Sequence, residues 1–217
     1  NTAVGYQALK DVTTGERNTA VGRNALTQST GSKNTALGMN CLEQNGVGNQ
    51  NTAIGTRALV NNTTADNNTA VGNDALYANT TGTQNVAVGA NALDANTTAN
   101  SNVAMGYNTL GANTTGDHQT AVGTYALKSN TTGLQNSAFG STALYSNTTA
   151  DNNAAVGFQA LYANTTGTQN TALGGGVYGS TQGALGANTT GDHNTAVGSR
   201  CLVANTTGQA NTAVGDR

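Results

Sequence analysis

At 217 residues the chain is long enough for one or two globular domains, yet its composition excludes an ordinary globular core. Charged residues make up 8% and aromatics 4%, against about 25% charged in typical domains; Asn, Thr, Gly and Ala fill the difference. A formal charge of −2 excludes both the basic stripe that drives nucleic-acid binding and the high net charge typical of disordered chains, and no run approaches the ~18 apolar residues of a membrane span.

Read along the chain, one phrase recurs: Asn-Thr-Ala-Val-Gly-x-x-Ala-Leu-x-x-Asn-Thr-Thr-Gly-x-x. Copies begin at Asn1, Asn18, Asn34, Asn51, Asn68, Asn85, Asn102, Gln119, Asn136, Asn153, Asn170, Asn194 and Asn211. Residues 1–217 therefore read as a single repeat array, twelve copies and the start of a thirteenth. Such a unit cannot bury its own apolar face and must stack on its neighbours, so the expected fold is an all-β parallel solenoid with one rung per 17-residue copy. The array opens in phase and stops at Asp216-Arg217 with no capping unit, which reads as a segment of a longer fibre.

Within each copy, Thr-Ala-Val alternates side chains as a short strand does, and the Gly at position 5 turns it. That glycine never varies; Gly5, Gly22 and Gly72 mark a corner with positive φ or very close backbone packing. Position 3 is always Ala, which places it against something too close for a larger side chain, whereas position 4 is always a larger apolar residue. The x-x-Ala-Leu-x segment is expected to form a second short strand, with Leu76, Leu93 and Leu161 among its framework leucines. Asn-Thr-Thr-Gly supplies turn chemistry before the next rung. Positions 6, 7, 10, 16 and 17 drift among Tyr, Gln, Asn, Arg, Asp, Lys and His and form the solvent side. Helix is excluded by recurrent Gly, Asn and Thr, and the absence of Pro fits a backbone whose N–H groups are all used between rungs. Asn at positions 1 and 12 is expected to stack into amide ladders.

One Val-class and one Leu side chain per rung are thin apolar content for an isolated two-strand roll. An invariant Ala beside a variable larger residue suggests two buried faces, one toward the chain's own roll and one toward partner chains. This favours a homotrimer over a monomeric solenoid.

The phrases Asn51-Thr52-Ala53-Ile54-Gly55 and Asn85-Val86-Ala87-Val88-Gly89 resemble the head repeat of trimeric autotransporter adhesins of the YadA type. The fuller phrase at Ala75–Gly82 and Ala160–Gly167 is similar to repeats of phage tail fibres and bacterial surface fibres. The resemblance implies a trimeric left-handed parallel β-roll, extracellular on a cell surface or virion tail, and built for attachment. The period here is longer than the adhesin repeat, so the rung must carry a longer turn.

Few residues suggest local chemistry. Cys41 and Cys201 share position 8 and lie nine rungs apart, or roughly 43 Å at about 4.8 Å per rung. A bond between them would need Cα atoms within about 7 Å, so each reads as a small buried hydrophobe in place of Ala. Asp117-His118 and Asp192-His193 lack both a third ligand and a nucleophile and read as surface decoration. One copy carries a seven-residue insertion within residues 175–183. Its Gly174–Gly179 stretch formally matches G-x-G-x-x-G, but no helix pattern follows, so no nucleotide site is read there. It is a protruding loop whose Gly175, Gly176, Val177 and Tyr178 are the candidate contact residues. Nine Asn-Thr-Thr phrases, from Asn62 to Asn205, are formal N-glycosylation acceptors; if modified, they would carry a ladder of sugars at rung spacing.

No acid, base and nucleophile converge at any position, so neither enzyme, cofactor nor metal site is expected. The reading is a structural stalk or head of an attachment fibre, a surface adhesin or phage tail fibre, with receptor or glycan recognition outside this segment. Alternatives are a self-assembling extracellular filament, or an ice- or carbohydrate-binding module using a repeated flat face. Near copies at Asn61–Gly89 and Ser146–Gly174, 85 residues apart, suit a spacer lengthened by block duplication.

Overall fold

The computed structural model describes residues 1–179 and 182–216. Each copy contributes one three-residue strand: β1 Thr2–Val4, β2 Thr19–Val21, β3 Thr35–Leu37, β4 Thr52–Ile54, β5 Thr69–Val71, β6 Val86–Val88 and β7 Val103–Met105. They continue as β8 Thr120–Val122, β9 Ser137–Phe139, β10 Ala154–Val156, β11 Thr171–Leu173, β12 Thr195–Val197 and β13 Thr212–Val214. The described residues contain no helix. The chain forms two compact units, Asn1–Tyr107 and Asn108–Arg217. In the first, β1 to β7 pair in chain order, parallel and in repeat register, as in Ala3 opposite Ala20 and Val4 opposite Val21. In the second, β8 to β13 do the same. The copy with the insertion keeps the register, Ala172 opposite Ala196. The copy starting at Asn18 is one residue short, and Ser29 there occupies the place of the position-12 Asn.

The expected second strand is not formed. Positions 5 to 12 instead run through three consecutive turns. In the copy starting at Asn68, Ala75 N–H donates to Gly72 O (3.5 Å), Tyr77 N–H to Asp74 O (3.3 Å) and Asn79 N–H to Leu76 O (3.2 Å). The first two turns have their third residue at positive φ, Asp74 at 57° and Leu76 at 52°, as a type II turn requires. The intervening N–H groups pair between rungs: Asp74 to Thr56 O, Leu76 to Ala92 O and Ala78 to Asp94 O, each at 3.0 Å. Turn bonds and rung bonds thus alternate, which uses the backbone donors that proline would remove.

Leucine is an unusual residue for left-handed backbone, yet each position-9 leucine from Leu9 to Leu202 sits there at φ between 49° and 53°. That conformation costs about 1–2 kcal/mol, and burying the side chain returns about 1.5–3 kcal/mol. Leu76, Leu93 and Leu161 are completely buried, as are position-3 and position-8 alanines such as Ala70 and Ala75. A glycine would relieve the strain but leave the core empty, so burial decides the residue.

Two buried asparagine ladders flank this core. At position 12 each amide Nδ2 donates twice, to the Oδ1 of the preceding rung's Asn and to a carbonyl three residues on. Asn79 reaches Asn62 (3.1 Å) and Gly82 O (3.0 Å), and Asn147 reaches Asn130 (2.8 Å) and Ala150 O (3.1 Å). Ser29 joins this ladder as acceptor from Asn45 Nδ2 (3.1 Å). Position 1 works differently. Its Oδ1 accepts the backbone N–H of the next rung's Asn, as Asn51 does from Asn68 (2.9 Å), while its Nδ2 donates to the position-15 carbonyl of its own copy, Ala65 O (2.8 Å). Gln119, one methylene longer, makes the same pair of bonds to Asn136 N and Gly133 O.

Candidate functional site

The strand sets what each rung shows to solvent. Alternation turns the position-3 alanine inward and leaves positions 2 and 4 on the outer face. The larger apolar residue at position 4 is therefore at the surface of the chain, not in its core. In the first unit Val4, Leu37, Ile54 and Met105 are exposed, with Val21, Val71 and Val88 half-buried. In the second, Phe139, Val156, Leu173 and Val214 are exposed, with Val122 and Val197 half-buried. Position 2 is Thr, Val, Ser or Ala, so no rung places a charge on this face. Each unit thus carries an uncharged sheet face with one apolar side chain per rung. Residues from Val to Phe make it uneven, which does not suit a flat ice-matching array.

Charged and aromatic side chains meet on the flank formed by positions 7 and 10. In the first unit Arg57 Nη2 pairs with Asp74 Oδ2 at 2.6 Å, and its guanidinium lies 5.2 Å from the Tyr77 ring centroid. The Asp74 hydrogen bond and charge hold the Arg57 guanidinium above its ordinary range. Asp94 lies beside them in a cavity of about 240 Å³ shared with Asn91. Burial pushes the Asp94 carboxyl up, backbone N–H bonds from Asp94 and Ala95 pull it down, and the Asp74 charge adds to the rise. In the second unit, Lys128 Nζ sits 5.1 Å from the Tyr125 ring and 5.5 Å from the Tyr145 ring. Tyr145 in turn stacks on Tyr162, with centroids 5.3 Å apart and planes 12° apart. These groups touch because their copies are neighbours; Arg57 and Asp74 are the same position one rung apart. The signal in the sequence was that shared position, legible only once the rungs are stacked.

The loop residues named from the sequence lie on the surface. Gly175 and Gly176 are half-buried, and Gly176 N–H donates to Phe158 O (2.8 Å). Val177 and Tyr178 are exposed, and Tyr178, 89% accessible, tilts on the Phe158 ring at 5.7 Å. Residues 180 and 181 of the insertion lie outside the described residues. Cys41 and Cys201 are free and buried, and burial pushes the Cys41 thiol up to about 12, so it stays protonated and donates to Gly38 O (3.0 Å). Asp192 accepts Thr168 N–H (2.7 Å) and Oγ1–H (3.1 Å), tying adjacent rungs, while His193 is exposed. The nine Asn-Thr-Thr asparagines are ladder members, and those from Asn62 to Asn188 are fully buried. Eight of the nine acceptor amides thus lie inside the folded chain, and Asn205 is half-buried. Among the described residues no three His, Cys, Asp or Glu side chains gather to hold a metal, and no helix is long and apolar enough to cross a membrane.

Comparison with protein-family models, with curated proteins and with solved structures gives no match to this chain. The functional reading therefore rests on the stacked rungs and their surfaces.

Proposed function

We propose that the chain is a structural segment of an extracellular attachment fibre, a surface adhesin or a phage tail fibre, assembled as a parallel homotrimer that holds a binding tip away from the particle. The observation that carries this reading is the position-4 stripe. An uncharged face that exposes one apolar residue per rung, Val156, Leu173 and Phe139 among them, is matched rung for rung by another copy with the same repeat. The interior, by contrast, is committed to framework: Ala, Leu and Asn fill it from rung to rung. Recognition of a receptor or glycan then belongs to parts of the fibre beyond these rungs, and the resemblance to adhesin and tail-fibre repeats points the same way. The test is to assay the isolated chain on a glycan array and for thermal hysteresis. Silence in both is expected. Saturable glycan binding or measurable hysteresis would replace the spacer with a carbohydrate- or ice-binding module.

A further inference from the structure

The sequence holds two N-x-Thr sequons beyond the nine in the repeat phrase: Asn61-Asn62-Thr63 and Asn67-Asn68-Thr69. The fold separates these asparagines sharply. At the repeat sequons, the atom that would receive a sugar is the Nδ2 that holds two rungs together. Asn164 Nδ2 donates to Asn147 Oδ1 (3.1 Å) and Gly167 O (2.8 Å), and the side chain is fully buried. Glycosyl transfer breaks the C1–O bond of a lipid-pyrophosphate-linked oligosaccharide, forms an Nδ2–C1 bond and releases one Nδ2 proton. It would remove a donor that the ladder needs and put a sugar where no solvent reaches. Asn67 is the opposite case. It sits at position 17, exposed, at φ 61°, and its backbone N–H is held by Asn49 O at 3.0 Å, so the main chain there is fixed by its own bond and not by the side-chain amide. Asn61 is intermediate, with its Nδ2 on Tyr77 O at 2.9 Å near the surface.

We propose that Asn67 is the N-linked glycosylation site that the fold accepts, and that sugar transfer to any repeat-phrase asparagine and folding exclude each other. Because transfer acts on the unfolded chain, folding becomes a filter: chains modified at the ladder fail, and chains modified at Asn67 pass. This does not rest on the fibre reading.

The test is translation of the full chain into microsomes that carry oligosaccharyltransferase and its lipid-linked donor. Protease-resistant and protease-sensitive fractions are separated, and occupied sites are mapped by mass spectrometry. In the resistant fraction Asn67 is expected to be occupied, Asn61 less so, and the nine repeat asparagines not at all; ladder glycans should appear only in the sensitive fraction. Asn67→Gln and Thr69→Val should each abolish the Asn67 glycan without loss of resistant protein. Both replacements occur naturally at equivalent positions, as in Gln84, Val86 and Val103. A glycan on any repeat asparagine in the resistant fraction, or Asn67 left empty there, would overturn the proposal.

Discussion

A Cβ added at Gly123 would lie 2.6 Å from the carbonyl carbon and oxygen of Gly140 in the next rung, and the residue's φ of +130° is one that side chains rarely adopt. Position 15 is crowded too: at Gly191 a Cβ would meet Gly208 O at 2.3 Å. Its φ is ordinary, however, and Ala65, Ala99 and Ala150 occupy the same position elsewhere, so the neighbouring rung gives way there. This explains why position 5 never varies and position 15 does. Gly123→Ala combines backbone strain with overpacking, each about 1–3 kcal/mol, and should lower the thermal midpoint by about 4 °C or more. Gly191→Ala should leave it nearly unchanged, and differential scanning calorimetry compares the two. The glycine, alanine and leucine framework was legible because an invariant residue in twelve copies reports a constraint directly. The left-handed leucines were not legible: nothing in leucine's chemistry signals positive φ, and only the stacked core reveals why the strain is tolerated. The second strand failed as an expectation for the same reason, since left-handed residues at positions 7 and 9 curl the backbone instead of extending it.

On the scale of the rung and its flank, invariant positions build ladders while positions 7 and 10 hold the Arg57, Asp74 and Asp94 group and the Lys128 and tyrosine group. Asp94 is the clearest of these, its carboxyl raised first by burial and then by the Asp74 charge. A raised folded-state pKa means that the folded chain holds the proton more tightly than the unfolded one. That stabilisation is complete below the ordinary carboxylate value of about 3.9 and is lost as pH rises through the raised value. Asp94→Asn should therefore raise the thermal midpoint at neutral pH, and the gap from the parent should close as the pH approaches about 4. A pH series of melting curves checks the sign. The pairing of Arg57 with Asp74 was hidden in the sequence because drifting positions look independent until stacking brings successive copies together.

For the whole molecule, the decisive feature is a mismatch between interior and surface. Ala, Leu and Asn are consumed inside the rungs, and the second apolar residue of each copy is left outside. The sequence had suggested two buried faces; the chain alone buries one. Phe139 and Leu173 on the exposed face are the residues whose exposure a partner copy would end. A parallel homotrimer seated on this face gives three chains per particle for the parent protein in sedimentation equilibrium. It also requires that Phe139→Lys combined with Leu173→Lys give single chains with the parent's far-ultraviolet circular dichroism. A parent that sediments as one chain, or a double variant that stays trimeric, would contradict it.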